Sequence, residues 1–289
     1  MLNKKKILVN QYERAKLNNM NKNCKIGFIG CGKMASAIIK GVIASEFLQK
    51  DNIMGSEINN SIAELAKQRL TIDVITDNKL LVSCSDIIFI ATKPNYVADV
   101  LEEIKEKLTE DKLVVSIAAG VSTQKIEKII GEKRVVRVMP NTPALVLEGM
   151  SGVCKGAFAT QDDINFVIKM LTSIGEAIEV DETQIDVVTA ISGSGPAFFY
   201  KVIEDIARAG EKLGLEYEKS LQLATQTAIG SAKMIQNRDE TSVQTLIDNV
   251  ATKGGCTFVG ITVMNNEKSE QLFHNVISQT TQKASELGK

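Results

Sequence analysis

Lys25–Ile39 reads KIGFIGCGKMASAII, and its three parts decide the fold. An apolar run from Ile26 to Ile29 meets a turn at Gly30, Cys31 and Gly32, and an Ala- and Ile-rich stretch with helical spacing follows. A buried strand passing through a tight turn into a helix accounts for all three. In such a unit Gly30 permits the sharp turn and Gly32 lets a pyrophosphate approach the backbone. The small residue Ala35 allows close helix–strand packing. The first free N–H groups of the helix then face the phosphates, with the positive end of the helix dipole behind them. Taken alone, G-x-G-x-x-A also fits an incidental glycine turn, so the surrounding chain has to decide.

The surrounding chain alternates. Candidate strands fall at Lys25–Ile29, Asn52–Gly55, Asp73–Ile75, Ile87–Ala91, Leu113–Ile117, Val135–Met139, Ser151–Cys154 and Ala177–Glu179. Helical patterns lie between them at Met34–Phe47, Ser61–Leu70, Tyr96–Lys107, Ser122–Ile130 and Asp162–Ser173. Strands separated by helices imply right-handed βαβ units and a doubly wound, largely parallel sheet of Rossmann-like type over residues 24–181. The glycine turn therefore sits where a dinucleotide-binding loop belongs. From residue 182 to 289 the strands stop and helical patterns take over, at Gln184–Ile191, Pro196–Leu213, Tyr217–Gln236, Ser242–Asn249, Thr257–Asn265 and Gln271–Leu287. Small residues (Ala224, Ala228, Gly230, Ala232) permit close helix crossings there. Apolar faces not closed on themselves suggest an all-α domain that completes itself by intertwining as a homodimer; an ordinary intramolecular bundle is the other reading. Residues 1–23 read as an extension without a catalytic role, with Met20 as an alternative start, because Ile7–Val9 is too short for a signal-peptide core.

Bulk properties narrow the class. The 289 residues are 44% hydrophobic and 24% charged, as in a soluble globular protein. A net charge of −1 supplies no general attraction to nucleic acid or an anionic membrane. No apolar run approaches the roughly 20 residues of a bilayer span. Five cysteines without a C-x-x-C pair suit a reducing cytoplasm and neither a disulfide framework nor a zinc site.

Several residues cluster at the expected strand ends. Glu57 follows the second strand about 25 residues beyond the glycine turn, near where a carboxylate accepts from an adenosine-ribose 2′-hydroxyl and repels a 2′-phosphate. That position predicts use of NADH at least as good as NADPH; a solvated glutamate is the alternative. Lys93 and Pro94, after Ala91 at the fourth strand end, suit a cofactor contact and a first helical turn. Ser116–Gly120 ends the fifth strand with small residues that let a flat nicotinamide lie close. Two of the four prolines fall in Arg137–Pro143, a rigid loop at the ligand-binding edge. In the helical half, Ser192–Ala197 is a small-residue loop. Asp248–Thr257 (DNVATKGGCT) is a glycine turn whose following helix start offers a carboxylate cradle.

Together GFIGCGKMA, ATKP, SIAAG, RVMPNTPA, SGSGPAF and D-x-V-x-[T/S]-x-G-G-x-T resemble the Δ1-pyrroline-5-carboxylate reductase family, from about Lys25 to the last helix. The resemblance implies NAD(P)H-dependent reduction of a cyclic imino acid to L-proline by a cytoplasmic homodimer, with rings of dimers as the larger form. Matching positions imply that Gly30, Gly32, Lys33, Met34 and Ala35 hold the pyrophosphate and that Asn78 meets the adenosine end. Ala91, Lys93 and Pro94 would flank the cofactor, and Ala118 and Ala119 the nicotinamide. Thr252, Gly254, Gly255, Cys256 and Thr257 would bind substrate, with the Thr257 hydroxyl on the imine nitrogen. A protonated imine is already electrophilic, so positioning matters more than an acid or base. No metal is implied, and the sole histidine, His274, reads as a surface or interface residue. The chain departs from the pattern at Lys33 (usually Asn), Thr252 (Ser), Lys253 (Pro) and Cys256 (small or Thr), which leaves open a related cyclic imine or a cofactor-sensing paralogue. The β-hydroxyacid dehydrogenases share the two-domain plan but place a lysine four residues after the loop glycine, where this chain has Phe199.

Overall fold

The computed structural model describes residues 24–288. The expectation for residues 1–23 lies outside them. The described residues up to Gly193, together with those from Thr281 on, form one compact unit, and Ser194–Thr280 forms a second.

The first unit is built on an eight-stranded sheet of order β3-β2-β1-β4-β5-β6-β7-β8. These strands are Ile26–Ile29 (β1), Ile53–Ser56 (β2), Asp73–Ile75 (β3), Ile87–Ile90 (β4), Leu113–Ser116 (β5), Arg134–Met139 (β6), Gly149–Lys155 (β7) and Gly175–Glu179 (β8). β1 is buried at every position and lies between β2 and β4, so chain order reverses across it. Such a reversal opens a crevice at the carboxyl edge of the sheet. The register sets its floor: Ile29 pairs with Ser56 on one side and Ile90 on the other, and Ile90 with Ser116. Gly30, Glu57, Ala91 and Ile117 therefore leave their strands at one level.

Helices cover both faces, as buried parallel strands require. On one face pack Lys33–Ala44 (α1), Asn60–Leu70 (α2) and Gln161–Leu171 (α6), through Ile38, Ala63, Ala66, Ile164 and Val167. On the other pack Asn78–Ser83 (α3), Val97–Ile104 (α4) and Thr123–Ile130 (α5), through Leu81, Leu101 and Ile126. The Phe28 and Phe89 rings of the central strands stack with centroids 4.5 Å apart. Three details differ from the sequence reading. α1 stops at Ala44, short of Phe47, where Glu46 turns into the left-handed region at φ 57°. The six-residue α3 follows an Asp77 cap that accepts from the Leu80 N–H, an Asx signal the apolar periodicity did not carry. β7 runs antiparallel to β6, because the connection 140–148 is too short for the dozen or more residues of a parallel crossover; β8 returns parallel to β7 through α6.

The helix expected at Gln184–Ile191 is also broken up. Ile185–Val188 (α7) is one helical turn, followed by a π turn at Thr189–Gly193. Buried Asn141 explains the wider turn: its amide donates to the Ser192 carbonyl and Oγ, both at 3.2 Å, and its Oδ1 accepts from the Met150 N–H at 2.9 Å. Just upstream, Arg137 of β6, only 6% exposed, pairs with Glu182 at 2.6 Å. The Cys154 thiol donates to the other Glu182 oxygen at 3.0 Å.

The second unit contains Gly195–Lys212 (α8), Tyr217–Gln236 (α9), Val243–Val250 (α10), Cys256–Asn266 (α11) and the first part of Ser269–Leu287 (α12). α8 and α9 cross closely where Gly210 meets Ser220, and Ala207 and Ala224 are buried; Gly230 and Ala232 are exposed. Phe199, Ile206, Leu223, Met234, Val259 and Val263 are each more than half exposed. Among the described residues no helix is long and apolar enough to cross a membrane.

Removing Glu182 strands a buried guanidinium. Glu182→Ala is expected to cost about 2 kcal/mol, below the roughly 3–5 kcal/mol of a fully buried pair because Glu182 keeps partial solvent access. Urea unfolding at neutral pH checks this; an unchanged midpoint would make the pair ornamental.

Candidate functional site

The crevice begins with Gly30. Its φ is +90°, and a Cβ there would lie 2.9 Å from the Ala91 carbonyl oxygen. Its N–H donates to the Ser56 carbonyl at 2.9 Å, so the turn is held by β2 on one side and abuts β4 on the other. Gly32 is different: a Cβ would meet nothing within 4 Å. It caps α1 without any side-chain cap, which leaves the amides of Lys33, Met34 and Ala35 at a bare helix start. Gly32 and Lys33 are exposed, Met34 is half-buried and Ala35 is buried at 1% exposure against the core.

The loop's middle residue is fixed from three sides. The Cys31 N–H donates to Glu57 Oε1 at 2.7 Å, and its carbonyl accepts from Arg69 Nη2 at 2.6 Å and Ser36 Oγ at 3.1 Å. Glu57 thus stands beside the loop with one oxygen engaged. Asn78 begins α3 at the next strand end: its Oδ1 accepts from the buried Ser56 hydroxyl at 2.7 Å, and its amide donates to Glu103 at 2.8 Å. Ala91 is half-buried, and Lys93 and Pro94 are exposed at a 3₁₀ turn that Lys93 caps. Between them the Thr92 hydroxyl oxygen is buried with no hydrogen-bond partner. Ala118 is buried, its N–H donating to Ser116 Oγ at 3.3 Å, while Ala119 is exposed. The cofactor-binding candidates therefore gather on consecutive strand ends.

An open face at Gly32, uncapped helix amides and an orphaned hydroxyl at the same sheet edge are what a dinucleotide would complete. Arg69, Ser56, Glu103 and Thr92 escaped the sequence reading. Ser56, next to Glu57 at a strand end, and Thr92, inside the ATKP motif, carried a positional signal; Arg69 and Glu103 did not. Arg69 is 38 residues from its partner, on a helix whose surface arginine looks ordinary.

The second unit brings its own candidates together in one turn. Gly254 has φ +82°, where a side chain is strained. Gly255 follows as the cap of α11, its N–H donating to the Thr252 carbonyl at 2.9 Å. A Cβ on Gly255 would stand 3.1 Å from both the Thr252 carbonyl and hydroxyl oxygens. No side chain caps α11, so the amides of Cys256 and Thr257 open its first turn. Thr257 is half-buried; Thr252, Lys253 and Cys256 are exposed, as is His274 on α12.

The buried thiols take no part in this chemistry. Burial, reinforced by the Glu57 carboxylate, pushes Cys31 up to about 12, and burial with Asp86 does the same for Cys24. Burial and the Glu182 hydrogen bond raise Cys154 as well. Such thiols stay protonated and unreactive at neutral pH.

Comparison with known proteins matches residues 182–287 to a family model described as pyrroline-5-carboxylate reductase dimerisation, and residues 25–120 to one described as NADP oxidoreductase coenzyme F420-dependent. The chain is 39% identical to a pyrroline-5-carboxylate reductase of Methanosarcina acetivorans, over 92% of this chain and 99% of that one. It is 34% identical to one of Arabidopsis thaliana, over 92% and 96%. Among solved structures, the Coxiella burnetii pyrroline-5-carboxylate reductase superposes with a TM-score of 0.88 at 33% identity, covering 93% of this chain and all of that one. A Plasmodium falciparum pyrroline carboxylate reductase with NADP bound gives 0.81 at 33% identity, over 93% and 99%. An Aquifex aeolicus prephenate dehydrogenase, at 0.52 and 13% identity, shares the fold alone.

Gly30→Ala must either push back the Ala91 carbonyl or abandon the turn. It is expected to lower stability by about 1–3 kcal/mol and to abolish dinucleotide binding. Thermal unfolding and a titration of reduced-nicotinamide fluorescence read the two effects.

Proposed function

Because the chain belongs to the pyrroline-5-carboxylate reductase family, we propose that it reduces Δ1-pyrroline-5-carboxylate to L-proline with NAD(P)H, the last step of proline synthesis. The observation that carries this reading is the Thr252–Thr257 turn, a glycine-shaped helix start suited to a carboxylate. It occurs in a chain whose other unit has the glycine loop and open crevice of a dinucleotide site.

The residues present fit the cofactor. Gly32 and the amides of Lys33, Met34 and Ala35 would hold the pyrophosphate, with Lys33 adding a cation in place of a polar amide. Glu57 and Asn78 would meet the adenosine ribose. Ala91, Thr92, Lys93 and Pro94 would flank the dinucleotide, and Ala118 and Ala119 would leave room for its ring. The bound cofactor supplies the hydride. The chain's own work is to orient the acceptor: in the turn shaped by Gly254 and Gly255, the amides of Cys256 and Thr257 take the substrate carboxylate, and the Thr257 hydroxyl bonds the ring nitrogen. No histidine is needed, because the protonated imine is electrophilic without a general acid. Lys253, exposed beside the cradle, adds positive charge where the carboxylate would sit.

The exposed apolar residues of the second unit, together with the dimerisation match over 182–287, support a homodimer formed through a helical domain running from residue 182. Assembly into a ring of dimers and a cytoplasmic location complete the proposal; five unpaired cysteines support the latter.

Thr257→Ala is expected to lower kcat/KM about 10- to 100-fold through loss of one transition-state hydrogen bond. Unchanged kinetics would remove the hydroxyl from the mechanism. In the same assay, steady-state rates with pyrroline-5-carboxylate and each reduced cofactor test the Glu57 reading. NADH should perform at least as well as NADPH, and a hundredfold NADPH preference would overturn that assignment.

A further inference from the structure

Cys31 is the middle residue of the glycine loop, yet neither its thiol nor its exposure gives it a role: it is fully buried, with its sulfur 3.9 Å from the Ser56 carbonyl oxygen. Its backbone is the unusual part. Two ionised side chains from different elements hold it, Glu57 on the N–H at 2.7 Å and Arg69 on the carbonyl at 2.6 Å. Charge-assisted bonds of this kind are about twice as strong as neutral ones. The described residues contain no cis peptide bond. In a trans peptide the carbonyl of one residue and the N–H of the next point in opposite directions from a single rigid plane. The Cys31 carbonyl and the Gly32 N–H are the two ends of one such plane.

We propose that Arg69 is a positioning residue for the cofactor loop: by holding the Cys31 carbonyl it sets the direction, and increases the donor strength, of the Gly32 N–H that meets the pyrophosphate. The proposal rests on the reading that this crevice takes NAD(P)H. Several facts support it. Gly32 is exposed and has open space on its Cβ side. A cation on the acceptor end of a peptide polarises the donor at the other end; Arg69 and Gly32 are exposed, and the Cys31 side chain between them is buried. Arg69 has no ion-pair partner among the described residues. Its position on α2 is therefore accounted for by the loop carbonyl. Ser36 Oγ donates to the same carbonyl at 3.1 Å and acts as a weaker second anchor.

The pyrophosphate is common to NADH and NADPH, and this gives the proposal its signature. Arg69→Met, in the full-length protein, is expected to raise the Kd of both cofactors together, by about tenfold, as read by reduced-nicotinamide fluorescence without substrate. Arg69→Lys, which keeps a charged donor, should restore most of that loss. Should Arg69→Met fail to fold, Ser36→Ala carries the test, with a smaller shared rise of about threefold. Arg69 also lines a cleft with Lys33, Ser36 and Lys40, so a rise confined to NADPH would make Arg69 a 2′-phosphate ligand and overturn the positioning role. Unchanged Kd values with a lowered Tm would reduce Arg69 to a structural residue. Wild-type protein that binds neither dinucleotide would overturn the cofactor assignment itself.

Discussion

A backbone carbonyl stands in the way of a side chain on Gly30. The Ala91 oxygen lies 2.9 Å from where that Cβ would be, because β1 and β4 are adjacent parallel strands that end at the same level. The contact forces glycine, and glycine permits φ +90°. The turn this makes delivers the chain straight into α1 with its first amides uncapped. The crevice, the open face at Gly32 and the row of strand-end residues from Glu57 to Ala118 follow from that strand arrangement. Topology and one steric exclusion between them create the crevice; the cysteines are unpaired, and no cluster of three His, Cys, Asp or Glu that could hold a metal occurs among the described residues.

The two units solve different problems with the same device. Each presents a glycine at positive φ and an uncapped helix start, so that backbone amides are left open to an anion. The difference lies in what holds the loop. In the sheet-based unit, side chains from three elements grip one residue, Cys31. In the helical unit, the Gly255 N–H bond to the Thr252 carbonyl is local, and its flanking residues Thr252 and Lys253 are exposed. A dinucleotide spans many strand ends and needs a rigid platform. On the proposed reading, a small imino acid would need only a short cradle and one hydroxyl.

Most of the architecture was legible in the sequence because buried parallel strands and amphipathic helices write different periods. What failed had identifiable causes. Periodicity says nothing of strand direction, and only the short 140–148 connection makes β7 antiparallel. The helix expected at Gln184–Ile191 had a sound apolar pattern, but Asn141, more than forty residues earlier, competes for its last turn. The site divided along the same line. Gly30, Gly32 and Glu57 are readable because motif spacing fixes them relative to a strand. Arg69, Ser56 and Glu103 act through tertiary partners, and a lone arginine late in a surface helix carries no mark of its distant carbonyl.

Glu57 shows why such partners change the meaning of a motif residue. From spacing alone it is a free carboxylate waiting for a ribose. In the structure one of its oxygens already accepts from Cys31, so only the other remains for a cofactor, and rotating the side chain away would orphan a loop amide. On the proposal that Glu57 meets the adenosine ribose, discrimination between a 2′-hydroxyl and a 2′-phosphate would not be set by this carboxylate alone. On that proposal it would depend also on how firmly the loop holds Glu57, and the same loop residue is held at its carbonyl by the Arg69 guanidinium. Acid and base at this edge grip the two backbone groups of one residue, Glu57 the Cys31 N–H and Arg69 the Cys31 carbonyl.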